Sequence, residues 1–290
     1  MLWIFCNSNK KMIIVKLKGG LGNQLFQYAF GRFLAVKNNA EVKFQFLLID
    51  KGDTQREYKL DKYNTVAKIA TKDEVEKMNG MITKIVKLIN TKIFKRYNTG
   101  YEPSVLKATN GYMEGFWQSY KYLEPIRDTL LNEITLREPI EKKYQELLNK
   151  IENNDSVSLH GRRGDYVNDP KTKKMHNTFG LEYYENAIRI IGEKIPEPIF
   201  FVFSDDIEWV KENIKINFTT TFVSDPNMKD HEELMIMSKC KHNIIANSSF
   251  SWWGAWLNKN PNKIVIAPQK WFNNLSMSTD NLIPESWLKI

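Results

Sequence analysis

Between residues 156 and 267, short runs rich in β-branched and aromatic residues recur with helical patterns between them: Ser156-Val-Ser-Leu-His160, Ile199-Phe-Phe-Val-Phe203, Thr219-Thr-Thr-Phe-Val223, Asn243-Ile-Ile-Ala246 and Ile264-Val-Ile-Ala267. Strand, helix, strand in that order predicts a parallel, doubly wound sheet. The chain opens on a similar unit. Met12-Ile-Ile-Val-Lys-Leu17 predicts a strand, Gly19-Gly-Leu-Gly22 a turn, and Leu25, Phe26, Ala29, Phe30, Phe33 and Leu34 the apolar side of a helix. Glu41-Val-Lys-Phe-Gln-Phe46 reads as the next strand, whereas residues 51–110 are richer in Lys and resist assignment. A helix-like segment at about 139–151 ends in the polar break Ile151-Glu-Asn-Asn-Asp155. The expected organisation is a disordered extension over residues 1–11, a less regular α/β lobe over 12–150, and a cleaner Rossmann-like lobe over 151–290. A ligand is expected at strand carboxyl ends.

At 290 residues and 42% apolar, the chain can bury a sizeable core, which excludes a disordered or fibrous protein. The net charge of +8 favours phosphorylated ligands, anionic membranes or nucleic acid, without choosing among them. Lys and Arg are dispersed and no nucleic-acid module motif occurs, so no nucleic-acid partner is expected. Cys6 and Cys240 are too few for a disulfide framework and lack the spacing of a zinc site, which points to a reducing compartment. The apolar start at Met1–Cys6 is too short for a signal core or a membrane span, so a cytoplasmic location is expected, and Met12 reads as an alternative start. Residues 81–96 oppose Ile82, Val86, Ile89 and Ile93 to Lys84, Lys87, Lys92 and Lys95. That pattern fits an ordinary surface helix, or peripheral contact with the inner membrane face.

Four segments carry candidate chemistry. Gly19-Gly20-Leu21-Gly22-Asn23-Gln24 lacks the ending of a P-loop and has Leu25 where a dinucleotide fingerprint wants glycine. It reads either as a tight turn or as a phosphate or acceptor loop built on Gly20, Gly22, Asn23 and Gln24. His160-Gly-Arg162-Arg163-Gly-Asp165-Tyr166 follows a predicted strand. Two successive guanidiniums there can grip phosphate oxygens bidentately. Phe203-Ser204-Asp205-Asp206 ends another strand; Ser204 or Asp205 can cap the helix that follows, and an acid can accept from guanine's ring N–H and exocyclic amine. Two adjacent acids without a third ligand, and no Asp-x-Asp, argue against a metal site. Asn247-Ser248-Ser249-Phe250 opens a Trp-rich helix whose start suits an anion. The formal glycosylation sequon there would require secretion.

Taken together and in this order these four segments, Gly19 to Gly31, His160 to Tyr166, Phe203 to Asp206 and Asn247 to Trp256, resemble the α-1,2-fucosyltransferases of glycosyltransferase family 11. The resemblance implies an α/β fold of the GT-B type, with two Rossmann-like lobes, the active site in the cleft between them, and the first lobe on the acceptor side. It implies GDP-β-L-fucose as co-substrate, inversion to an α linkage at the 2-hydroxyl of a terminal β-galactoside, and no metal or other cofactor. The acceptor would be a galactose-terminated oligosaccharide, free or lipid-linked, as in O-antigen assembly. Carried over by position, His160 and Asp205 or Asp206 would contact guanine, Arg162 the β-phosphate, and Arg163 the loop or phosphate. Ser204, Asn247, Ser248, Ser249 and Phe250 would complete the donor site. Gly161 stands where the family often has a β-branched residue, which would loosen the strand end.

Such a reaction leaves negative charge on GDP, so it needs fixed positive charge at the departing phosphate, and Arg162 can supply it. The acceptor hydroxyl needs a proton acceptor; Asp165 is the first choice, with Asp169, Glu114 and His176 open. Transfer of another deoxy sugar or another linkage would use the same residues, and so would a non-catalytic carbohydrate- or nucleotide-binding protein.

Overall fold

The computed structural model describes residues 11–46, 57–78, 100–163, 180–272 and 281–290. Strand β1 (Met12–Leu17) is a continuous apolar run because it is covered on both faces, with Ile13, Ile14 and Val15 fully buried. Helix α1 (Leu21–Asn38) buries Leu25, Phe26, Ala29, Phe30, Phe33 and Leu34, the side its sequence pattern predicts. It stops where Asn39 turns left-handed at φ 48° and donates its N–H to Ala35 O. Strand β2 (Glu41–Phe46) and the short β3 (Gly111–Met113) pair parallel to β1 on either side, in the order β2-β1-β3. Helices α2 (Lys72–Met78), α3 (Tyr120–Leu123) and α4 (Arg127–Glu133) complete this unit's described regular structure apart from 3₁₀ turns. Trp117 stacks on Phe30 with ring centroids 4.0 Å apart.

The second unit is one six-stranded sheet: β4 (Ser156–Gly161), β5 (Ile199–Ser204), β6 (Thr220–Phe222), β7 (His242–Ile244), β8 (Val265–Ala267) and β9 (Leu288–Lys289). Its order is β6-β5-β4-β7-β8-β9 and every pairing is parallel. The chain therefore winds outward from β4 to one side, then returns to the other, the doubly wound order with its switch point between β4 and β7. Phe200 and Val202 face one apolar layer with α6 (Leu181–Lys194) and α7 (Ile207–Asn213). Phe201 and Phe203 face the other, with α5 (Gln145–Glu152) and α8 (Asp230–Lys239). Period two on a strand buried on both faces explains why Ile199–Phe203 is apolar throughout.

The units divide at a different place from the one the polar break suggested. The first runs to Arg137 and takes back Asn281 and Leu282; the second starts at Glu138 and includes Ile283–Ile290. The reason is packing: Tyr144 and Ile151 bury their side chains in the layer of Phe201 and Phe203, so α5 and its lead-in belong to the second unit. The α/β reading of both lobes stands, each built on a parallel sheet. No helix among the described residues is long and apolar enough to cross a membrane. The segment 81–96, Cys6 and residues 1–10 lie outside the described residues.

Candidate active site

Parallel register brings the two central motifs together. His160 lies opposite Phe203 and Gly161 opposite Ser204, so the residues that follow, Arg162-Arg163 and Asp205-Asp206, emerge side by side. Arg162 Nη1 stands 2.9 Å from Asp205 Oδ2, and Arg163 N–H donates to Asp205 Oδ1 at 2.9 Å. Arg163 Nε is 3.4 Å from Asp206 Oδ2, and its guanidinium lies 4.2 Å over the Trp209 ring. Asp206, rather than Ser204 or Asp205, is the cap of α7, accepting from Trp209 N–H at 3.3 Å. Both acids thus hold arginines in place, and Asp206 also starts a helix.

His160 is 4% exposed, and its Nδ1 has no hydrogen-bond partner among the described residues. Burial, with the Arg162 charge adding, pushes its pKa down to about 3, so the imidazole is neutral at pH 7. Its ring centroid is 5.9 Å from that of Phe250. Phe250 sits in the first turn of α9 (Ser249–Leu257), reached from β7, so this contact spans the switch point. Ser248 caps α9 by accepting from Phe250 N–H at 3.3 Å, and Asn247, 2% exposed, donates to Trp271 O at 3.1 Å. Ser249 and Phe250 are half-buried, whereas Trp252, Trp253 and Trp256 are core.

Gly161 does not loosen the strand end. A Cβ there would lie 2.8 Å from Val210 Cγ2 and 3.3 Å from Ser204 Oγ, so α7 occupies the room a β-branched residue would need.

Ser204 leads to residues that the sequence reading missed. Its N–H donates to Ser224 Oγ at 2.9 Å, its Oγ accepts from Asp206 N–H at 3.0 Å, and the Ser224 hydroxyl donates in turn to Glu233 Oε1. Burial is the main cause that raises Glu233 to about 7; Asp230 and Asp205 add to it, against the Ser224 hydrogen bond and Arg162. An acid in the first turn of a helix looks like dipole pairing in the sequence, so Glu233 carries no signal there, and its tie to Ser224 shows only in the structure.

In the first unit, Gly19 has φ +79°, a conformation that suits glycine, and Gly20 precedes α1 in extended backbone. Gln24, expected to face a ligand, is fully buried: it donates to Gly19 O at 3.1 Å and Glu57 O at 2.8 Å and accepts from Lys59 N–H at 3.0 Å. It braces the loop instead. Gly22 is buried in the first turn of α1, and Asn23 Oδ1 accepts from Gln118 Nε2 at 2.8 Å. Glu114 follows β3 beside Lys16 Nζ at 3.6 Å and Lys18 Nζ at 3.9 Å. Asp165, Asp169 and His176 lie outside the described residues.

The family model for glycosyl transferase family 11 matches residues 5–290. The chain belongs to glycosyl transferase family 11. Two Escherichia coli proteins resemble this family 11 glycosyltransferase over nearly the full length of both chains. An alpha-1,2-colitosyltransferase is 34% identical, with 96% of this chain and 99% of that one covered. The O-antigen biosynthesis glycosyltransferase WbnK is 33% identical, with 94% and 99% covered. The galactoside alpha-(1,2)-fucosyltransferase 2 of Pongo pygmaeus is 26% identical over half of this chain (50%) and 44% of its own length. The fucosyltransferase NodZ from Bradyrhizobium shares the fold, with a TM-score of 0.53 at 12% identity over 86% of this chain and 93% of that one.

Proposed function

We propose that this family 11 glycosyltransferase moves L-fucose from GDP-β-L-fucose to the 2-hydroxyl of a terminal β-galactoside, with inversion and without a metal ion. The observation that carries the reading is Arg162, held by Asp205 at the carboxyl end of β4 beside the neutral His160 and the start of α9. Such a position at a switch point suits a diphosphate. As the bond between fucose C1 and the β-phosphate oxygen breaks, its electron pair goes to the phosphate and Arg162 stabilises the growing charge. Arg163, Ser248 and Ser249 complete the anion site. The acceptor oxygen bonds to C1 from the opposite face and gives its proton to a base, for which Asp165 is the first choice and Glu114, Asp169 and His176 the alternatives. We place the reaction in the cytoplasm, on an oligosaccharide that is free or carried on a lipid.

A second reading is favoured by the 34% identity to an alpha-1,2-colitosyltransferase: the same machinery would then transfer colitose, which is L-fucose without its 3-hydroxyl. Incubation with GDP-L-fucose or GDP-colitose and a panel of β-galactosides, read by mass spectrometry and linkage assignment, decides between them. GDP release with an acceptor also separates an enzyme from a binding protein. Transfer of fucose to the 2-hydroxyl is the expected result. Colitose alone as donor, or attachment at another position, overturns it.

A further inference from the structure

We infer that Glu114, with Phe116 beside it, binds the acceptor sugar, its carboxylate accepting from the hydroxyls of a neutral pyranose at the carboxyl end of the first unit's sheet. The inference deepens the galactoside reading above and rests on it; Glu114 then holds the acceptor rather than taking its proton. Gly31 of α1 lies against Val15, Val42 and Phe44, so α1 covers one face of β2-β1-β3. Side chains alternate across a strand, which sends Lys16 to the other face, where its Nζ meets Glu114 Oε1 at 3.6 Å just past the end of β3. Lys18 joins from the end of β1, its Nζ 3.9 Å from the same oxygen and 4.7 Å over the Phe116 ring. At these lengths the lysines are ion-pair partners and not hydrogen-bond donors, so neither fills an acceptor position of the carboxylate.

This edge is braced more firmly than a surface ion pair needs. The fully buried Gln27 donates to Gly115 O at 3.1 Å and accepts from Lys18 N–H at 2.9 Å, which ties the end of β1 to the end of β3. Trp117 has φ 54°, a costly conformation for a bulky residue, and its buried ring, stacked on Phe30, holds it there. Backbone strain of this kind collects at ligand sites. The outcome is an alternating segment: Met113, Gly115 and Trp117 are buried, while Glu114, Phe116 and Gln118 are partly exposed. Gln118 Nε2 donates to Asn23 Oδ1 at 2.8 Å, so the start of α1, which the motif resemblance nominated for acceptor or phosphate, is bonded to the same segment. A pyranose both donates and accepts around its rim and packs its C–H faces on aromatic rings, and a carboxylate, ammonium groups and a phenyl ring match it. Glu114 in the midst of the two lysines disfavours an anion there. Ligands of parallel α/β sheets sit beyond the strand carboxyl ends, as this cluster does.

The test uses the full chain with methyl β-D-galactopyranoside as the acceptor probe and GDP-L-fucose or GDP-colitose as donor. KM for the acceptor and kcat are measured for the parent, Glu114→Gln and Phe116→Ala, with GDP affinity from calorimetry and a melting profile for each. Glu114→Gln is expected to raise the acceptor KM by about tenfold or more, the scale of one hydrogen bond to a charged group, while kcat falls much less and GDP affinity is kept. Phe116→Ala is expected to raise the acceptor KM as well. A collapse of kcat with a parental acceptor KM in Glu114→Gln makes Glu114 the base instead and overturns the inference. So does a parental KM with a parental kcat, and so does a loss of acceptor and GDP binding together, the mark of a merely structural role. Should Glu114→Gln fail to melt cooperatively, a parental acceptor KM in Phe116→Ala overturns it. A parent that transfers neither sugar to the probe refutes the galactoside reading itself, which keeps the two failures apart.

Discussion

Replacing Glu233 by Gln is expected to stabilise the protein at pH 8 and hardly at all at pH 5. The folded carboxyl titrates at about 7 against an ordinary value of 4.5, with burial as the first cause. Between these values the native state keeps a proton that the unfolded chain has lost. Stability therefore falls as pH rises from below 4.5, and the penalty is complete once pH passes the folded value near 7. The difference of pKa, converted at about 1.4 kcal/mol per unit, makes the full penalty roughly 3 kcal/mol at pH 8 and under about 1 kcal/mol at pH 5. Gln has no proton to lose and keeps an acceptor for the Ser224 hydroxyl, so it removes the penalty without opening a cavity. The groups that face the carboxyl, Arg162, Asp205, Asp230 and Ser224, are unchanged by the substitution. Urea denaturation of parent and variant at both pH values measures the gap. A variant no more stable than the parent at pH 8, or a gain of equal size at pH 5, refutes the reasoning.

The remaining predictions concern the arginine, the strand end and the metal. Arg162→Lys keeps a cation but loses the planar fork, so kcat should fall on the order of 10²-fold or more while GDP affinity falls less; steady-state kinetics with a wild-type kcat would remove Arg162 from the reaction. Gly161→Val should cost about 1–3 kcal/mol by overpacking against Val210. Pairing it with Val210→Ala should recover part of that loss, and a double-mutant cycle in urea that shows no coupling would contradict the contact. Transfer activity should persist in excess chelator; near-complete loss that Mg²⁺ or Mn²⁺ restores would overturn metal-free leaving-group stabilisation.

Much of this protein was legible without coordinates, because its elements announce themselves locally. The runs at Met12–Leu17, Glu41–Phe46 and Ile199–Ser204 are strands because their apolar content must be buried, and α1 follows from a single helical stripe. The four motifs and their order were likewise enough to point to family 11, whose model matches the chain. Contacts between distant residues were not legible. The three-residue β3 carries too little pattern to stand out from the Lys-rich stretch before it, and parallel pairing with β1 is what makes it a strand. The boundary at Arg137 depended on where Tyr144 and Ile151 bury their side chains, which a polar break in the sequence does not report. Gln24 reads as a loop amide and is a buried brace, because its partners at Glu57 and Lys59 come from a segment without a motif. Above all, the pairing of Arg162 with Asp205 and of Arg163 with Asp206 follows from the register of β4 on β5. Motifs name the residues that can do the chemistry. Which carboxylates are already committed to an arginine depends on side chains that only parallel pairing brings within hydrogen-bond reach.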